Sequence, residues 1–122
     1  MKMKRKFSAL SIVAPNAMRI AQGMKTLEVR SWQPEQLPLK DLLIVENKPF
    51  LNHADAEELG VAVALVDVES VHIWQSHEVE AACARYWAEG YFAWQLRNVR
   101  PIKNQVAVPA KRKIYFIEMD HA

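Results

Sequence analysis

The run from Val61 to Trp74 (Val-Ala-Val-Ala-Leu-Val-Asp-Val-Glu-Ser-Val-His-Ile-Trp) does most to limit what this chain can become. It is rich in β-branched residues, which favour strands. It is also longer than the usual strand of about 3–10 residues. A run of this kind must bend, so the sequence predicts a bulge near Asp67 to Ser70 or a hairpin into the next strand. Shorter strand signals surround it. Phe7 to Ala14 and Leu42 to Glu46 are mostly apolar and read as buried strands. Lys25 to Trp32 and Tyr91 to Val99 alternate, and Ile114 to Met119 closes the series.

Helical signals are fewer. Asn16 follows Pro15 as a candidate N-cap, Ala17, Ile20 and Ala21 form a stripe, and Gly23 is placed to stop it. A second helix is predicted from Ser76, with Glu78 and Glu80 in its first turn. Val79, Ala82, Cys83, Tyr86 and Trp87 form its apolar stripe, and Gly90 ends it. Cys83 and Trp87 lie on that stripe, and Trp74 and Trp94 on apolar stripes of their own segments, so all four are expected in the core. Residues 33–40 read as a loop, as do 47–60 with a helical turn around Ala54 to Leu59, and 103–112 as a polar, basic connection. About six strands with two helices do not suit alternating βαβ units. They suit an α+β fold: a small, mixed, mostly antiparallel β-barrel with two flanking helices.

With 122 residues there is room for one domain, read as 7–122 behind a basic tail at 1–6. Three glycines exclude a glycine-rich dinucleotide turn or phosphate loop, and one cysteine excludes a disulfide framework. His53, His72, His77 and His121 share no metal-ligand spacing, so no metal or other cofactor is expected. The basic start followed by Phe7 to Ala14 is too short and polar for a signal peptide, and no segment is long enough to span a bilayer; a cytoplasmic location is the expectation. The net charge of +2 is too mild to imply nucleic acid by itself. Its distribution is more suggestive: Lys2, Lys4, Arg5 and Lys6, then Arg97, Arg100 and Lys103, then Lys111, Arg112 and Lys113. Solvated ends explain these clusters as well as one positive face does.

The segment Gly23-Met24-Lys25-Thr26-Leu27-Glu28-Val29-Arg30 carries the most chemistry. Leu27 and Val29 occupy one face of a strand, Thr26, Glu28 and Arg30 the other. Lys25, Glu28 and Arg30 can form a ladder on a solvated surface, or line a cleft holding an acid, a base and an anion binder. Spacing alone favours the ladder. Trp32, beside a proline-containing loop, is placed for lid packing or base stacking, and Tyr91 for a rim hydrogen bond or stacking. Asn47 follows a buried strand, where it serves a turn or reads a base edge.

These residues resemble the ASCH domain, one of the PUA-like small β-barrels. Gly23, Lys25, Thr26, Glu28 and Arg30 match the family's G-x-K-T-x-E-x-R signature. Ser11-Ile12, Pro15, Ile20 to Gly23, Val63 to Val71, Gly90-Tyr91, Trp94 and Asn98-Val99-Arg100-Pro101-Ile102 extend the likeness over roughly residues 8 to 119. The resemblance implies binding of RNA, or of a nucleoside with a modified base, in a cleft beside the signature strand. Lys25, Glu28, Arg30, Trp32, Asn47 and Tyr91 are the candidate contacts. It also implies an alternative. Some short bacterial members are amidohydrolases that deacylate N4-acetylcytidine, using a lysine and a threonine of the signature with a later glutamate. Ribonuclease activity is attributed to others. Lys25 matches that lysine, but Glu28 stands in the threonine's place, and the later glutamate maps loosely to Glu78 or Glu80. Lys25 and Glu28 are then the candidate catalytic pair. A protein-interaction module, the third reading, would need a sizeable exposed apolar patch.

Overall fold

A computed structural model describes residues 4–48 and 58–120. The strands are β1 (Lys4–Val13), β2 (Leu27–Arg30), β3 (Leu39–Asn47), β4 (Glu58–Ile73), β5 (Phe92–Pro101), β6 (Ala107–Ala110) and β7 (Ile114–Asp120). Among the described residues there is one helix, α1 (Asn16–Ala21), after β1, and one 3-10 turn at Ser76–Glu78. The sheet runs β2-β5-β4-β3-β1-β7, with β6 added to β4. Among the described residues only β1 and β3 pair in parallel; every other pairing is antiparallel. The mixed, mostly antiparallel reading holds, but the sheet does not close into a barrel.

The long strand is irregular close to where the sequence predicts it. Register shifts in the β4–β5 ladder fall between Leu65 and Asp67 and between Val68 and Ser70. Across from them Asn98 takes a positive φ of 52°, a conformation asparagine tolerates. The two apolar segments are buried on both faces. Leu42 and Ile44 of β3 pack with Leu10, Ile20 and Trp94, while Leu43 and Val45 pack with Phe7, Tyr115 and Ile117 on the opposite side. Strand β6 lies inside the stretch read as a connection: Ala107–Ala110 pairs with Val61–Glu58, burying Val108 and Ala110. Lys4, Arg5 and Lys6, read as part of a tail, belong to β1 and pair with Asp120, Met119 and Glu118 of β7.

α1 ends as the sequence suggests. Gly23 takes φ +79°, its N–H reaches Ile20 O (3.0 Å), and Met24 N–H reaches Arg19 O (2.9 Å), the double bond of a Schellman stop. Its start differs: Asn16 is the first helical residue and no side-chain cap comes from the preceding residue. Glu46 of β3 supplies the acceptor instead, taking the Met18 N–H at 2.9 Å. The expected second helix does not form. Thr26 and Leu27 N–H both go to Ala81 O, and Lys25 Nζ goes to Ala82 O. Carbonyls needed for a helical ladder are therefore committed to β2, and Cys83 sits at φ 53°, outside the right-handed region. The helical turn read around Ala54 lies largely outside the described residues.

Candidate nucleic-acid interface

The site lies where the barrel fails to close. Among the described residues β2 pairs only with β5, and its other edge has no strand partner. In β1, residues 4–10 pair with β7 while 11–13 pair only with β3. The curled sheet brings these two edges together, and side chains bridge the seam: Arg30 NH2 of β2 donates to Ser11 O of β1 at 3.0 Å. A cleft of about 1680 Å³ occupies the seam. The irregular segment after Trp74 forms one wall and the turn at 111–113 contributes to the opening.

The signature strand is not a solvated ladder. Lys25 is 4% and Glu28 5% exposed. Lys25 Nζ donates to Ala82 O at 2.5 Å and lies 3.3 Å from Glu28 Oε1. Glu28 Oε2 accepts from Arg30 Nε at 2.7 Å. The result is one chain of contacts, Ala82 O to Lys25 to Glu28 to Arg30 to Ser11 O. It ties the wall, β2 and β1 together while leaving these groups on the cleft lining. Lys25 Nζ thus faces two oxygen acceptors, Ala82 O and Glu28 Oε1.

The other candidates gather here too. Trp32, Asn47 and Tyr91 line the same cleft. Trp32 is half-buried, packed edge-on against Trp94 with ring centres 4.9 Å apart; Lys113 Nζ sits 5.7 Å from its ring centre. Tyr91 is 39% exposed, and Asn47 is buried at the end of β3. Of the loosely mapped glutamates, Glu80 lines the cleft, whereas Glu78 binds His72 Nε2 at 2.9 and 3.0 Å. Burial alone would raise the Glu78 pKa, but the Gln75 N–H and His72 outweigh it and hold it low.

Sequence reasoning missed several lining residues. The sequence places Cys83 and Tyr86 on a buried helical stripe; Cys83 instead lines the cleft and Tyr86 is largely exposed. Trp87, expected in the core, is 38% exposed, with its indole N–H on Trp74 O; Trp74 and Trp94 are buried as expected. Arg19 and Arg85 also line the site. Ser11 was visible only as a family match. Its hydroxyl accepts from Lys111 N–H (3.2 Å) and meets Tyr115 OH (2.6 Å), which in turn donates to Pro109 O (2.9 Å). Burial pushes the Tyr115 phenol up.

The basic clusters separate. Lys111, Arg112 and Lys113 line the cleft. Arg5 and Arg100 instead clamp Asp41, Arg100 also holds Asp67, and Arg97 pairs with Glu69. Among the described residues no group of three or more His, Cys, Asp or Glu side chains comes together to hold a metal. No helix among them is long and apolar enough to cross a membrane.

Comparison with known proteins agrees with this architecture. No curated protein matches the chain. Two solved structures of ZmASCH from Zymomonas mobilis, a serine-to-alanine and a tyrosine-to-phenylalanine mutant, are similar. The first has a TM-score of 0.56 over 81% of this chain and 72% of its own, the second 0.52 over 81% and 74%. Identity is 19% in both, so the likeness is one of fold. The family model described as ASCH domain matches residues 10–105, most of the chain. The open, strand-rich sheet with its signature strand at the seam thus has its family: the chain belongs to the ASCH domain family.

Proposed function

We propose that the seam cleft binds RNA. The observation that carries this reading is the segregation of charge. In a chain of net charge +2, Arg19, Lys25, Arg30, Arg85, Lys111, Arg112 and Lys113 line one cleft, against Glu28 and Glu80. Such a field attracts phosphates. Single-stranded RNA also needs aromatic faces for unstacked bases and polar groups for base edges. Trp32 and Tyr91 supply the faces; Lys25, Glu28 and Asn47 supply donors and acceptors on the buried floor.

The test is fluorescence anisotropy with labelled single-stranded RNA at several salt concentrations. Tyr91→Ala removes a half-exposed ring; loss of one stacking partner costs about 1–3 kcal/mol, roughly 5- to 150-fold in affinity. Lys113→Glu flattens the dependence of affinity on salt. Unchanged affinity and salt dependence in both variants refute the proposal. Single-stranded DNA of the same sequence tests the choice of RNA.

A second reading rests on the 3.3 Å approach of Lys25 Nζ to Glu28 Oε1 at the cleft floor, a donor beside a carboxylate. Deacylation of an N4-acylated cytidine needs a base for water and a donor for the developing oxyanion. Both Glu28 oxygens are engaged, one by Lys25 and one by Arg30, so taking a proton would require opening a contact; this favours binding as the leading reading. Chromatography of N4-acetylcytidine after incubation with the protein decides. Conversion to cytidine that disappears in folded Lys25→Ala supports the enzyme; no conversion removes it.

A further inference from the structure

Resting on the RNA reading above, we infer that the cleft floor selects uracil, through the edge formed by its two carbonyls and the N3–H between them. The order of groups on the floor is set by two contacts. Glu28 stands between two basic side chains, each on its own oxygen: Lys25 Nζ lies 3.3 Å from Oε1, and Arg30 Nε 2.7 Å from Oε2. All three side chains line the cleft. A base entering from the cleft meets a donor, an acceptor and a donor in that order.

Among the described residues none of the three is saturated. An ammonium has three N–H groups, and that of Lys25 faces two acceptors, Ala82 O and Glu28 Oε1. A guanidinium has five, of which Arg30 commits one to Glu28 and one to Ser11 O. A carboxylate oxygen accepts two hydrogen bonds, and each Glu28 oxygen has one of these neighbours. Each group can therefore take a hydrogen bond from a ligand with the floor contacts left in place.

Of the four standard RNA bases only uracil answers all three positions. Its O4 and O2 accept from the flanking cations, and N3–H donates to Glu28. Guanine matches with its carbonyl and N1–H but turns its amino group towards the second cation. Cytosine and adenine carry an amino donor beside an unprotonated ring nitrogen, so either sets a lone pair against the carboxylate and N–H groups against a cation. Lys25 and Glu28 are 4% and 5% exposed, so little water can relieve such a mismatch. The Arg30 end of the floor also has faces for the ring. Arg30 stands opposite Phe92 in the β2–β5 ladder, which brings Trp32 and Tyr91 to that end. Lys113, 5.7 Å from the Trp32 ring centre, adds a cation for an adjoining phosphate.

The experiment is competition of RNA hexamers of uridine, cytidine and N3-methyluridine against a labelled strand on the full chain. All three have the same phosphates, so the salt-dependent part of binding is shared and the base edge is what differs. The uridine hexamer is expected to bind at least about tenfold tighter than either of the others. In Glu28→Gln, shown to be folded by its melting curve, the preference for uridine over cytidine should fall below about threefold, because an amide can also donate to a ring nitrogen. The deoxyuridine hexamer and uridine monophosphate tell whether an RNA strand, a DNA strand or a free nucleotide supplies the base. Uridine within twofold of cytidine, indifference to N3 methylation, or full selectivity in folded Glu28→Gln overturns the inference and leaves the RNA reading standing. Failure of every RNA hexamer to bind overturns both. The comparison on the wild-type protein decides by itself where Glu28→Gln does not fold.

Discussion

Replacing Lys25 by methionine is expected to do more damage than its single charge implies. The variant keeps the length and apolar stem of the side chain and deletes the ammonium, which holds Ala82 O at 2.5 Å and faces Glu28 Oε1 at 3.3 Å. At 3.3 Å the gross attraction is about 5 kcal/mol for an effective dielectric near 20. A charged hydrogen bond adds about 1.5–3 kcal/mol. Desolvation of two buried ions offsets much of this in the intact pair, but removing one partner leaves the other buried and forfeits the gain, typically about 3–5 kcal/mol. Arg30 still holds Glu28, so the lower end of that range, about 3 kcal/mol, is expected. For a domain of this size that lowers the melting temperature by of order 10 °C. Lys40→Met is the control: its ammonium lies 3.7 Å from Asp67 on a side chain that is 64% exposed, and its loss should cost at most about 1 kcal/mol. Calorimetry measures both. Hydrogen exchange localises the effect, because the Thr26 and Leu27 amides donate to Ala81 O beside the lost tether and should exchange faster. A Lys25→Met protein melting with the Lys40→Met control, its two amides still protected, would refute the claim that this ammonium pins the cleft wall.

Three further outcomes are expected. Asp41 is held below its ordinary pKa by Arg100 and Arg5; Asp67 is too, because bonds from Asp41 N–H, Asn98 and Arg100 outweigh its burial. A carboxylate with a lowered folded pKa stabilises above the unfolded value of 3.8, and that stabilisation is lost as pH falls through the folded pKa. Melting temperature should therefore drop on acidification below that value, more shallowly in Arg100→Gln; parallel curves would contradict this. Gly60→Ala should lose about 1–3 kcal/mol in denaturant titration, since its Cβ would stand 2.7 Å from both Glu46 O and Val45 Cγ1 in packed sheet. Ser11→Ala removes the hydroxyl between Lys111 N–H and Tyr115 OH and should cost about 1–2 kcal/mol, measured the same way, with faster exchange at the Lys111 amide.

Local chemistry alone decided a good deal. β-Branched and alternating runs made strands because that pattern buries side chains only in an extended chain, and the over-long Val61–Trp74 run shifts register at Val68/Ser70, within the predicted stretch, and at Leu65/Asp67, just before it. Gly23 ended α1 because only a residue at ease with positive φ allows the double stop. The signature residues drew attention to the right strand. What they faced was not legible. A surface ladder and a buried cleft have the same alternation, and only the meeting of β2 with the free part of β1 takes Glu28 out of water. β6 escaped notice because Ala107–Ala110 is short and proline-bearing, and becomes a strand only by pairing with β4. The helical stripe after Ser76 was a true local preference overridden from outside: Lys25, Thr26 and Leu27 claim the carbonyls that a helix would have used. Sequence thus determined most of the strands, the irregularity in β4 and the residues that carry chemistry. Tertiary structure decided which of them meet, because an open seam, a diverted carbonyl and a shared carboxylate are relations between segments distant in the chain.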